Sequence, residues 1–257
     1  MPTAISKDGT KIVYEKRGAG PSIILVNGAL ASREFYGEKD LAEKLEDKFT
    51  IIYYDRRGRG DSTDTKPYSR EREIEDIEVL LNEVGGRAYL YGCSSGAALA
   101  LLAAEKFGPE NILKLALYEP PYTSDTGEYA EGKKKVNEFI AADNPGDAVA
   151  AFLEIAGTPP EALEKMKQSP DWKKMVKLGP TLTYDFEVLG DGAIPEAVVK
   201  NIAIPTLALN GGESDSMSET ASTLAKLIPF ASHKTLKGQS HEVAPEVLAP
   251  VLIDFFK

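Results

Sequence analysis

The sequence predicts an α/β protein, a mostly parallel sheet covered by helices on both faces. Two observations carry this. Continuous apolar runs such as SIILVNG (22–28), ILKLALYEPP (112–121) and IPTLALNG (204–211) read as strands buried on both sides. Between them lie longer segments with apolar residues at helical spacing, and that alternation is the pattern of βαβ units.

The elements follow in order. KIVYEK (11–16) alternates as a strand does, and SIILVNG ends in a turn signal. EFYGEKDLAEKLEDK (34–48) reads as a helix, and FTIIYYD (49–55) as a strand running into the glycine-rich loop RRGRGDS. SREREIEDIEVLLNEVGG (69–86) places Ile74, Ile77, Leu80, Leu81 and Val84 on one helical face and stops at Gly85–Gly86, a natural C-cap. RAYLYG (87–92) is the next strand, and SGAALALLAAEKFG (95–108) an alanine-rich helix closed by Gly108.

The rhythm breaks after ILKLALYEPP. Residues 122–203 hold helical stretches (GKKKVNEFIAAD, PGDAVAAFLEIAG, PPEALEKMKQ, DWKKMVKL) and no convincing strand. Alternation resumes with IPTLALNG, the helix SETASTLAKLI, the strand SHKTLKG and the helix APEVLAPVLIDFFK. The expected organisation is a core of residues 1–121 and 204–257 with a helical insertion at 122–203.

Composition limits the partners. A net charge of −10 would repel nucleic acid and anionic membrane surfaces, so neither is expected as a partner. No apolar run reaches the roughly 18–20 residues of a membrane span. The first residues, MPTAISKDGTKIVYEK, do not read as a signal peptide. With the lone Cys93 this points to a cytoplasmic protein. Two histidines and one cysteine offer no zinc-site spacing, and no metal or organic cofactor is expected.

The stretch LYGCSSGAALAL (90–101) sits at a strand-to-helix junction. Gly92 and Gly96 lie two residues either side of Ser94, giving G-x-S-x-G, whereas centring on Ser95 loses both glycines. The frame therefore selects Ser94 as a nucleophile. Cys93 occupies a variable position and is expected to pack. A serine needs a base, and the chain offers only His233 and His241. His233 falls inside a strand. His241 falls on the loop KGQSHEVAP at a strand's C-terminal end, where parallel sheets keep their sites, and is the base expected. The imidazole needs a carboxylate in turn. Glu119, Glu213 and Asp215 all follow strand ends, with Asp215 favoured by its reach from the loop.

Together these motifs resemble the α/β-hydrolase superfamily, in the group of esterases and cofactor-free haloperoxidase-like enzymes. GCSSG is similar to the nucleophile elbow, GESD to the acid loop, GQSH to the histidine loop and YDRRGRGDS to the loop after the fourth strand. The order Ser94, Asp215, His241 is that of the family, and the insertion falls where the family carries a helical cap. The resemblance implies eight strands and a triad of those three residues. It also implies an oxyanion site made by the backbone N–H groups of Ala29 and Ser95. Where the family has His-Gly before that loop, this chain has Asn27–Gly28.

The implied activity is hydrolysis of a small or medium ester, lactone or related acyl substrate through an acyl-enzyme. C–C hydrolysis, perhydrolysis and non-catalytic ligand binding stay open, as do monomer and homodimer. A serine at the elbow argues against the aspartate-dependent branches. DRRGRGDS lacks the third glycine of a dinucleotide loop, so Arg56, Arg57 and Arg59 are expected to be solvated or paired with the acidic helix that follows. The insertion's apolar residues, from Phe139 to Leu189, read equally as its own core or as a wall over the site.

Overall fold

The structure is a computed structural model describing all 257 residues. Strands are β1 (Thr3–Ile5), β2 (Lys11–Arg17), β3 (Ser22–Val26), β4 (Thr50–Tyr54), β5 (Ala88–Cys93), β6 (Ile112–Tyr118), β7 (Thr206–Gly212) and β8 (Ala231–Gln239). They form one sheet in the order β1-β2-β4-β3-β5-β6-β7-β8. β1 and β2 run antiparallel to their neighbours, and every pair from β4 through β8 is parallel. β1 was not expected; a three-residue strand with one buried side chain carries too little pattern to read.

The helices outside the insertion are α1 (Lys39–Leu45), α2 (Arg70–Asn82), α3 (Ser95–Asn111), α10 (Asp215–Leu227) and α11 (Pro245–Phe256). The buried strands show why their sequences lack polar alternation. In β3, Ile23 and Leu25 pack with Leu41, Leu45, Leu248 and Leu252 of α1 and α11. Ile24 and Val26 face the opposite layer, with Ile77 and Leu80 of α2 and the alanines of α3. Both faces of the sheet are covered, so both sets must be apolar.

Several boundaries differ from expectation, and α10 and the first helix of the insertion begin earlier than expected, at Asp215 and Thr126. The helix expected from Glu34 begins at Lys39, because the Arg33 side chain and backbone N–H both bond the Asp55 carboxylate. That inward pull, with Leu30 and Tyr36 at φ 54° and 48°, holds residues 29–38 as a loop. Gly108 does break α3 (φ 62°), with a short helical continuation beyond it.

Six helices lie between β6 and β7: α4 (Thr126–Ala141), α5 (Pro145–Ile155), α6 (Pro160–Lys167), α7 (Trp172–Leu178), α8 (Leu182–Leu189) and α9 (Glu196–Val199). Met175, Leu178, Phe186 and Leu189 are buried in the main apolar cluster, which favours core over wall for these four. α8 also binds the core through polar groups: Tyr184 stacks on Tyr68 at 3.8 Å and its hydroxyl donates to Asp64. No helix is long and apolar enough to cross a membrane.

The arginines after β4 are buried, not solvated. Arg57 bonds both oxygens of Asp76 at 2.8 Å, and Arg56 both oxygens of Glu73 at 2.7 and 2.8 Å, so α2 pairs with these two, whereas Arg59 pairs with Asp185 of α8. Arg57 also donates to Asp8 at 2.8 Å. Burial would push the Asp8 carboxyl up, but the Arg57 guanidinium and the Thr10 N–H outweigh it and pull it down to about 2. A depressed native pKa gives stability that is present above the unfolded value of 3.8 and lost as pH falls through about 2. The urea midpoint should therefore drop across this acid range, and Asp8→Asn should flatten the slope; urea titrations followed by circular dichroism between these limits check it.

Candidate active site

The site forms where β5 and β6 end side by side and the loop after β8, two strands beyond β6, brings His241 to Glu119. Ser94 joins β5 to α3 at φ 56°, ψ −130°, a left-handed-side conformation that costs a non-glycine residue on the order of 1–3 kcal/mol. Its flanking glycines are required by contact. A Cβ on Gly92 would lie 2.4 Å from the Gly96 carbonyl oxygen, and one on Gly96 would lie 2.2 Å from the Val26 carbonyl oxygen. The elbow therefore packs backbone on backbone, with β3 pressed against the start of α3.

Glu119 follows β6, also at positive φ (45°). Its neighbour Tyr118 pairs with Cys93, and the Ser94 N–H donates to the Tyr118 carbonyl at 2.9 Å. Ser94 and Glu119 thus sit one residue beyond the same rung of the sheet, on strands about 4.8 Å apart. Glu119 is 1% exposed, and both of its carboxylate oxygens are used. Oε1 accepts the Gly211 N–H at 2.7 Å, and Oε2 lies 2.7 Å from His241 Nδ1. With Nδ1–H donating to this carboxylate, Nε2 is left as the acceptor. The Tyr118 hydroxyl donates to the Ser240 carbonyl at 2.5 Å, tying the histidine loop to β6 as well. Ser94 Oγ and His241 make no direct hydrogen bond, and the imidazole side chain is 48% exposed.

The acid expected at Asp215 is not the one that meets the histidine. Asp215 opens α10, exposed in its first turn, where the helix dipole favours a carboxylate, and it has no bond to His241. Glu213 is likewise exposed. Asp215 is carried outward on the first turn of α10, whereas Glu119 stays buried at the end of β6, beside the elbow strand β5. The available signal was Glu119 itself, a carboxylate between a buried strand and two prolines. His233 bonds Asn210 Oδ1 at 2.7 Å within a cluster containing Thr235 and Ser218, apart from the elbow.

Ser95 is buried at the first position of α3, where its N–H has no partner within the helix. The Ala29 N–H makes no hydrogen bond within the protein, and Gly28 approaches Ser94 so closely that a Cβ there would lie 2.8 Å from Ser94 Cβ. Asn27 turns inward, its amide donating to the Tyr54 carbonyl at 3.3 Å. Burial and the nearby Glu38 and Glu119 carboxyls push the Cys93 thiol well above its ordinary value, which suits packing and not attack.

Behind the elbow lies a buried ionic cluster. Arg59 bonds both oxygens of Asp185 (α8) at 2.8 Å, and Arg56 bonds Asp185 Oδ1 at 2.8 Å. Ser95 Oγ donates to the same Oδ1 at 2.7 Å. Burial alone would raise the Asp185 carboxyl, but Arg59 and Arg56 outweigh it and hold it below the usual carboxylate range.

Comparisons with known proteins agree with this architecture. An α/β hydrolase from Sphaerobacter thermophilus DSM 20745 is 44% identical over 100% of both chains, with a TM-score of 0.89. An esterase from Thermogutta terrifontis shares the fold at 21% identity and TM-score 0.76, covering 99% of this chain and 97% of that one. The uncharacterized hydrolase YraK of Bacillus subtilis (strain 168) is 32% identical over 116 residues, 44% of this chain and 42% of that protein. The chain thus spans less than half the length of the curated relatives it matches. The profile of the Alpha/beta hydrolase family matches residues 23–251, nearly the whole fold that carries this site, and the chain belongs to that family.

Proposed function

We propose that the protein is a serine hydrolase that cleaves a small or medium ester, lactone or related acyl substrate, with Ser94, His241 and Glu119 as its triad. The observation that carries the reading is the Glu119–His241 bond of 2.7 Å, held beside a serine in a strained strand-to-helix turn. Similarity to hydrolases and an esterase supports the reaction class.

In this mechanism Ser94 Oγ turns onto His241 Nε2 and attacks the substrate carbonyl as Nε2 takes its proton. The Glu119 carboxylate holds the imidazole tautomer and stabilises the imidazolium. The Ala29 and Ser95 N–H groups hold the developing oxyanion. His241 then returns the proton to the leaving alcohol, and water activated by the same imidazole releases the acid. The inserted helices serve as a cap over this chemistry.

A fluorophosphonate probe should label Ser94, read by peptide mass spectrometry, and the label should vanish in Ser94→Ala and His241→Ala. Unlabelled, well-folded protein would remove the hydrolase reading. The acid is tested by kinetics on a p-nitrophenyl ester series. Glu119→Gln should lower kcat by on the order of 10³–10⁴, whereas Asp215→Asn should stay within about twofold of wild type. The reverse pattern would return the acid role to Asp215.

A further inference from the structure

Asp185 belongs to the inserted helix α8, yet its contacts run to both peptides assigned to the oxyanion site. On one side it accepts the hydroxyl of Ser95, the residue after the elbow serine. On the other it grips Arg59, whose Nη1 donates to the Gly28 carbonyl at 2.5 Å. Arg56, also bonded to Asp185, donates to the preceding carbonyl, Asn27, at 3.2 Å. Two successive carbonyls of the β3 loop are thus drawn toward one buried cluster.

The direction of those carbonyls has a consequence for the N–H groups. A trans peptide points its C=O and N–H in opposite directions, and the chain's one cis bond is at Lys66–Pro67. Holding the Gly28 carbonyl on Arg59 therefore turns the Ala29 N–H away from the cluster. That peptide starts from Gly28, which packs against Ser94, and its N–H has no partner within the protein. Arg59 and Asp185 are each 1% exposed, so neither is available to touch a substrate.

We propose that Asp185 and Arg59 are positioning residues for the oxyanion site: one carboxylate from the inserted helices orients the elbow peptide through Ser95 and the Gly28–Ala29 peptide through Arg59. This rests on Ser94 being the nucleophile. Donors that matter when the oxyanion forms affect the transition state more than the bound substrate. Misorienting them lowers kcat and weakens inhibitors that themselves form an oxyanion, with little change in KM.

The test uses Arg59→Lys, which keeps the buried charge but replaces the fork with a single ammonium that cannot span Asp185 and Gly28 in the same way. On the best p-nitrophenyl ester its kcat should fall on the order of tenfold to a hundredfold with KM within about twofold. Affinity for an aryl trifluoromethyl ketone, which forms a tetrahedral oxyanion on a serine, should fall in parallel. Arg59→Met/Asp185→Asn removes one charge of each sign and should give the same signature if the lysine variant does not fold, with circular dichroism as the folding control. A folded variant with wild-type kcat and ketone affinity, or with a loss confined to KM or Tm, overturns the proposal. Ser94→Ala separates the two levels: if it is inactive while Arg59→Lys matches wild type, the positioning role alone falls. If Ser94→Ala keeps wild-type turnover, the nucleophile reading falls and takes the positioning role with it.

Discussion

The arrangement around the elbow depends on one buried balance of charge. Arg56 and Arg59 from the loop after β4 meet Glu73 of α2 and Asp185 of α8, all nearly without solvent contact. Two positive and two negative groups cancel, and most of their bonds are charge-assisted, at 2.7–2.8 Å. Burying such groups costs several kcal/mol per ion, and removing one partner of a buried pair typically costs about 3–5 kcal/mol. The cluster therefore exists only while every contributing segment is in place. That couples α8 to the core more rigidly than its apolar contacts alone would.

The candidate site sits on the other side of the same backbone. Ser94 and Glu119 are both non-glycine residues at positive φ, each one residue past the end of a strand. The sheet's hydrogen bonding continues one step beyond those ends, Ser94 N–H to Tyr118 and Glu119 N–H to Leu209, and so offsets the strain of turning there. The side chains leave the sheet edge at neighbouring strands, where a histidine arriving from the β8 loop can meet the carboxylate. A parallel sheet supplies this meeting place because all its strands end on one edge.

What could be read from residues in sequence was local or periodic. Apolar runs in β3, β6 and β7 gave buried strands, and Gly92–x–Ser94–x–Gly96 gave the elbow, because its steric demand is written in adjacent residues. His241 was identifiable through scarcity and its loop. Which carboxylate meets His241 was not, since Glu119, Glu213 and Asp215 all follow strand ends and only the folded loops bring one of them to the imidazole. The buried arginines were also obscure: a run of basic residues in a loop reads as solvated until its partners, 17–126 positions away, are brought in.

The sequence by itself determined the layered α/β architecture and marked the tight strand-to-helix turn at Ser94 and the loop that carries His241, because each follows from spacing, periodicity or local sterics. Only the tertiary structure decided that Glu119 and not Asp215 faces His241, and that Asp185 of α8 closes the cluster beneath the elbow. Both depend on how loops at the sheet edge meet and on the pairing of groups far apart in the chain, which a linear pattern does not contain.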